Sequence, residues 1–172
     1  MKKNFLLTLM ASTTLFASLN NINSFEADFI QNIADEKGKV IEYAGHVLAK
    51  KPQYAFWSYT KPINKNVYIL PQRVVIVEPE LEQAIVKFID SDFDFFNMLK
   101  NAKKISHDTY TASYNNANFK IKIKKGEIVS ISYKDEFEND VVIRFSNQKQ
   151  NIEISDTKFI PIVPDEYDII RD

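Results

Sequence analysis

Cysteine is absent from the 172 residues, and histidine occurs only twice. The first absence excludes disulfide frameworks, thiolate zinc sites, cysteine nucleophiles and iron–sulfur clusters. The second leaves little for metal ligation or general-base work. Glycine occurs three times, which excludes the glycine-rich loops that cradle phosphates. Neither sign of charge dominates: 22 Lys+Arg stand against 23 Asp+Glu, a net charge of -1. No basic surplus draws the chain onto a phosphate backbone, so nucleic acid is not expected as a partner. Apolar material is plentiful, at 45% hydrophobic and 13% aromatic residues, with 13 Phe and 8 Tyr. The length fits one domain with a sizeable core.

Residues 1–17 read as an address. Lys2 and Lys3 precede a mostly apolar, uncharged run from Phe5 to Ala17, with small Ala17 at a cleavage position. That is the pattern of a secretory signal peptide. The run is short for a membrane span and is softened by Thr8, Ser12, Thr13 and Thr14. Cleavage after Ala17 removes two lysines and leaves residues 18–172 as a single, mildly acidic, exported domain. No Cys follows the site, so a bacterial lipid anchor is not expected.

From Ser24 onward, period-2 alternation dominates. Phe25, Ala27, Phe29, Gln31 and Ile33 share one parity, and Glu26, Asp28 and Asn32 the other. Asp35 to Gly38 forms a turn, with Gly38 free to take positive φ. Strands are expected at 40–50, 53–60, 66–70, 74–78, 83–89, 109–114, 119–125, 128–133 and 141–147. Further edge pieces are expected at 152–154 and 158–160. So many short strands predict an antiparallel sheet that curls or closes. Residues 91–104 break the alternation and predict a helix. Ser91 and Asp94 open it in capping-box fashion, Phe95, Phe96, Met98, Leu99 and Ala102 give it an apolar face, and Lys100, Lys103 and Lys104 occupy its last turn. That face either plugs one end of the sheet as core or caps a cavity.

Catalytic and metal patterns fail one by one. Asp90, Asp92 and Asp94 have the spacing of a calcium loop, but Phe95 replaces the required Gly and Asn101 the bidentate Glu. His46 and His107 lack a spaced third ligand. No Gly-x-Ser-x-Gly elbow is present. Glu80 and Glu82 beside Pro79 read as a solvated turn. Lys120, Lys122 and Lys124 share one strand face, either solvated or docking an acidic partner. No enzyme, metal or cofactor is expected.

The stretch Ser24-Phe25-Glu26-Ala27-Asp28-Phe29-Ile30-Gln31 resembles the "SF-x-A-x-F-x-Q" opening of the periplasmic outer-membrane lipoprotein carriers, the LolA-like proteins. Lys51-Pro52, Trp57, Tyr59 and Pro62 are similar to that family's "RP…F-x-W-x-Y…P" run. Glu78 to Ala84 resembles its "Y-x-P-x-L-x-Q" element. Phe159-Ile160-Pro161 through Ile170 resembles its "F-x-x-P-x-G-V-D-V-I" ending. The matches span nearly all of the chain after the signal, in order.

The resemblance implies a mainly β fold with a few α-helices: a curved, incomplete antiparallel barrel covered by a helical lid. It implies a soluble periplasmic monomer with no cofactor. Such a carrier takes acylated lipoproteins from an ABC-type release complex in the inner membrane and delivers them to the outer membrane, through an acceptor where one exists. Parity together with the family analogy assigns the acyl-chain cavity to Trp57, Tyr59, Phe93, Phe96 and Leu99, with Phe25, Phe29 and Val47. Lys51 stands where the family commonly has an Arg that ties lid to sheet; it keeps the charge without the planar fork. Ala55 occupies the partner-docking position, where an aromatic is usual. Two other readings stay open: a carrier of free lipid or glycolipid on the same fold, and a non-enzymatic domain that senses envelope stress through protein contacts.

Overall fold

The structure, a computed structural model, describes residues 19–89, 94–114 and 117–171. The expected export signal lies outside those residues. The strands are β1 (Ser24–Ala34), β2 (Val40–Lys50), β3 (Tyr54–Lys61), β4 (Lys65–Leu70), β5 (Arg73–Glu78), β6 (Gln83–Phe88), β7 (Lys103–Lys104), β8 (Thr109–Tyr114), β9 (Ala117–Lys124), β10 (Glu127–Lys134), β11 (Asp140–Gln150) and β12 (Asp168–Arg171). They form one sheet in the order β12-β6-β5-β4-β3-β2-β1-β11-β10-β9-β8-β7. Only β12 on β6 is parallel; the other pairings are antiparallel. The fold is therefore mainly β, with a mixed but largely antiparallel sheet.

Two hairpins repeat one device. Asp35 Oδ1 accepts the N–H groups of Lys37 and Lys39 at 2.9 and 2.8 Å, and Gly38 takes φ +79°. Asp135 Oδ1 accepts those of Phe137 and Asn139, both at 2.9 Å, and Glu138 takes φ +61°. A short Asp side chain folds back on its own turn, and the left-handed residue closes it. These turns fix the registers Ala34↔Val40 and Lys134↔Asp140.

Pairing of β1 with β11, Phe29 opposite Phe145, joins the two halves of the sheet. Phe25, Phe29, Val47, Ile121, Ile131, Val141 and Ile143 project from the same side into one core. Val67 and Ile69 of β4 and Phe119 of β9 border a single cavity on that side. Those strands are six steps apart in the sheet. A flat sheet would hold them about 29 Å apart at about 4.8 Å per step, so the sheet must curl around this face.

Residues on the other parity of β3–β6 are also apolar. Tyr68, Leu70, Val75, Val77 and Ala84 form a second core with Ile154 and Phe159, and Leu48, Tyr54, Phe56, Ile152, Val163 and Tyr167 pack on it. The chain after β11 thus runs as a strap across the outer face before β12 joins the edge. Ser24 Oγ donates to the Ile152 carbonyl at 2.6 Å, and Asn23 N–H to Asn151 Oδ1 at 2.8 Å, which anchors the start of the strap. The strap corrects the expectation of edge strands at 152–154 and 158–160. Ile152 and Ile154 cover the sheet instead of pairing with it, and Asp156–Phe159 is a 3₁₀ turn whose start Ser155 caps.

The helix is also shorter than the expected 91–104. Among the described residues the α-helical part is α1 (Phe95–Lys100). Asp94 is its N-cap, accepting from the N–H groups of Phe96 and Asn97 at 2.9 and 3.1 Å. Ser91 lies outside the described residues. At the other end Lys103 and Lys104 leave the helix and pair with Thr111 and Tyr110 as β7. The expected helical lid reduces, among the described residues, to α1 and the 3₁₀ turn Leu19–Asn21 packed beside it.

Candidate functional site

Between the concave face and α1 lies a cavity of about 340 Å³. That volume falls within the roughly 300–1,000 Å³ of small-molecule sites. Its lining is nearly all hydrocarbon and aromatic ring. β1 contributes Phe25 and Gln31; β2 Val47 and Ala49; β3 Ala55, Trp57 and Tyr59; β4 Val67 and Ile69. β9–β11 contribute Phe119, Ile131, Tyr133, Ile143 and Phe145, and α1 borders the space with Phe95, Phe96 and Met98.

The rings brace one another. Phe29 meets Trp57 and Tyr59 edge-on, with centroids 4.9 and 5.0 Å apart. Phe25 meets Phe145 at 5.2 Å, and Trp57 lies 6.4 Å from Phe145. Aromatic side chains have few torsions to lose, so such a wall offers apolar area with little freedom to freeze. Polar groups are sparse. Tyr59 Oη donates to Gln31 Oε1 at 3.1 Å. Burial pushes the Tyr59 and Tyr133 phenols above their ordinary range, so both stay protonated at neutral pH.

The eight expected cavity residues divide. Phe25, Val47, Trp57, Tyr59 and Phe96 line the cavity. Phe29 and Leu99 are buried in the core behind it, and Phe93 lies outside the described residues. Lys51 sits where sheet, N-terminal turn and helix converge. Its Nζ donates to Asn23 Oδ1 at 2.9 Å and stands 6.0 Å from the Phe96 ring centroid. Ala55, opposite Ala49 and Ile69, faces the cavity. His46 lies on the outer face, with Nδ1 2.7 Å from Asp28 Oδ1, and His107 is exposed. No group of three metal-ligating side chains occurs among the described residues.

Residues 20–161 match the family model of the outer membrane lipoprotein carrier protein LolA. The chain belongs to the outer-membrane lipoprotein carrier family. Among curated members, the outer-membrane lipoprotein carrier protein of Campylobacter jejuni is 42% identical over 171 residues, covering 99% of this chain and 100% of that one. The protein of the same description from Wolinella succinogenes is 38% identical, covering 90% and 91%. The carrier family is one of transport proteins, not of enzymes. Solved structures agree on the fold at low identity. An uncharacterized conserved protein from Thermus thermophilus aligns with TM-score 0.56 at 10% identity, covering 91% of this chain and 94% of that one. A LolA superfamily protein from Nitrosomonas europaea aligns with TM-score 0.50 at 11% identity, covering 88% and 97%.

The family analogy pointed to the cavity wall on β2 and β3 but missed its opposite side. Tyr133, Ile131, Ile143 and Phe145 follow from parity once the register Gln31↔Ile143↔Ile131 is known. Gln31 carried its own signal: it is the one polar residue on the inward parity of β1 between Phe25 and Ile33.

Proposed function

We propose that this chain is a soluble periplasmic carrier for lipoproteins in transit from the inner to the outer membrane. The acyl chains lie in the cavity between the concave sheet and α1. A release complex of the ABC type in the inner membrane loads it, and the outer membrane or an acceptor there unloads it. The N-terminal segment through Ala17 directs export and is removed.

The supporting observation is the cavity: apolar, braced by aromatic rings, and bordered by one short helix. A sixteen-carbon chain in water costs on the order of 10 kcal/mol, at about 0.8 kcal/mol per CH₂. Covering it requires area, not reactive groups. Release requires that the cover move, and α1 is six residues long, too short to persist without its packing. Lys51 fits a latch between the sheet and that cover, holding Asn23 and lying against Phe96. It is a single ammonium and lets go more readily than a bidentate guanidinium.

Mass spectrometry of lipid and peptide extracted from the protein, isolated from its native periplasm, tests the reading. Acylated lipoprotein N-termini are expected to co-purify, and depletion of the protein is expected to leave lipoproteins in the inner membrane. Free lipid alone, with normal lipoprotein sorting after depletion, would overturn it.

A further inference from the structure

The two ends of the cavity differ in chemistry. Near α1 the lining is Phe25, Ala49, Ala55, Phe96 and Met98, with one carboxamide beside them, that of Gln53, which is only partly buried and is already engaged by a partner of its own. At the other end β1, β3 and β10 bring Gln31, Tyr59 and Tyr133 to the wall.

Gln31 is nine-tenths buried, at 9% relative exposure. A carboxamide in that position is costly unless its hydrogen-bonding groups are used. Its oxygen accepts from Tyr59 at 3.1 Å. Its Nε2 donates to no described residue, and Gln31 is one of the residues that line the cavity. Around it the groups are donors as well. Tyr133 carries a protonated phenol. Lys65, half-buried at the rim, holds its ammonium 4.8 Å from the Tyr59 ring centroid and 5.6 Å from that of Tyr43. Cation–π contact of this kind fixes a positive charge beside the aromatic end. Among the described residues no carboxylate lines this cavity.

A buried amide donor, a phenol and a nearby ammonium, with no competing anion, select an acceptor oxygen attached to an apolar tail. We propose that the Gln31–Tyr59–Tyr133 end is a head-group subsite for the carbonyl of an acyl ester or amide, with the alkyl tail running toward α1. The subsite rests on the carrier reading above and adds to it a direction: tail under the helix, carbonyl at the tyrosine end.

The same carbonyl occurs in free fatty acids and in acylated peptides, and three probes separate the cases. Methyl hexadecanoate and hexadecyl methyl ether share length and differ in the carbonyl. In equilibrium competition against a fluorescent fatty acid, the native protein is expected to bind the ester roughly fivefold more tightly than the ether, the worth of one added hydrogen bond. Gln31→Leu is expected to bring that ratio near one, whatever it does to the two affinities taken singly; Tyr59→Phe, which frees the Gln31 oxygen, is expected to shrink it. A ratio near one in native protein, or a ratio that both variants leave intact, overturns the subsite. If Gln31→Leu does not fold, the native ratio and Tyr59→Phe still decide. If neither probe binds native protein, the carrier reading itself fails. The third probe is an N-palmitoylated tripeptide. Gln31-dependent binding of it supports the subsite with a lipoprotein source, whereas dependence seen with methyl hexadecanoate alone supports the subsite and overturns the lipoprotein source.

Discussion

The ring of Phe29 lies directly over Gly45 on the neighbouring strand, and a side chain at residue 45 has nowhere to go. A Cβ there would meet the Ser58 carbonyl oxygen on one side and Phe29 Cζ at 2.9 Å on the other. Phe29, Gly45 and Tyr59 stand opposite one another on β1, β2 and β3, so the missing side chain is the space that the Phe29 ring fills. Gly45→Ala is expected to destabilise the fold by about 1–3 kcal/mol, as overpacking does, with a lower midpoint in urea. Adding Phe29→Leu is not expected to restore it, because the Ser58 carbonyl belongs to the backbone.

Trp57 and Leu99 separate carriage from folding. Trp57 is half-buried on the cavity wall, while Leu99 is 1% exposed on the buried face of α1. Leu99→Ala is expected to cost about 2–5 kcal/mol of stability, the range for buried leucines. Trp57→Glu places a carboxylate where the acyl chain lies, and is expected to lower affinity for a fluorescent fatty acid more than tenfold while a cooperative urea transition persists. If Trp57→Glu simply unfolds, Trp57 is core and not cavity wall.

The twin hairpin turns differ at the left-handed residue. Gly38 and Glu138 hold the same place after Asp35 and Asp135, at φ +79° and +61°. A side chain in the left-handed region carries a steric cost that glycine avoids. Glu138→Gly is expected to raise stability by about 0.5–1 kcal/mol after its added freedom in the unfolded chain is subtracted. Loss of the exposed Lys134–Glu138 ion pair subtracts little. Thermal denaturation of the two proteins side by side measures the difference.

Asp28 couples the outer face to pH. The Asn147 amide and the His46 ring hydrogen-bond its carboxylate at 2.7 Å each, and they hold its pKa below the ordinary value of 3.8. A group depressed in the folded state adds stability above its unfolded pKa and loses it as pH falls through the folded one. Native protein should therefore lose stability below about pH 4. Asp28→Asn is expected to flatten that acid limb by lowering the neutral plateau slightly while leaving stability at the acid end nearly unchanged, read from urea midpoints between pH 2 and 7. The effect is small, because the carboxylate is solvated.

Alternation made the sheet legible. The parity of Phe25, Phe29 and Gln31 in β1 and of Trp57 and Tyr59 in β3 survives intact, because a one-residue slip would turn every such side chain to the wrong face. Strand order was less accessible: the β1–β11 pairing joins segments more than a hundred residues apart, and no local pattern announces it. The strap escaped for a different reason. Ile152, Ile154, Phe159, Val163 and Tyr167 follow neither period, since they pack as scattered anchors of an irregular segment. Their signal lay elsewhere, in the apolar second parity of β3–β5, where Tyr54, Phe56, Tyr68, Leu70, Val75 and Val77 require a cover of their own. The helix was overextended because Ala102 and the lysines after it suit a helix end by composition, whereas pairing of Lys103 and Lys104 with β8 satisfies their backbone groups better.

The two cores share a wall, and this gives the cavity a mechanical asymmetry. β3 and β4 are sandwiched, with the cavity on one side and the buried anchors of the strap on the other, so they resist bending. Among the described residues nothing backs β9 and β10 in this way: Lys120, Lys122, Lys124 and Val129 on their outer side are exposed. A guest that needs more room meets an anvil on the β3–β4 side and a leaf spring on the β9–β10 side. The cavity should therefore widen by flexing β9–β10 and lifting α1 while β3 and β4 keep their shape.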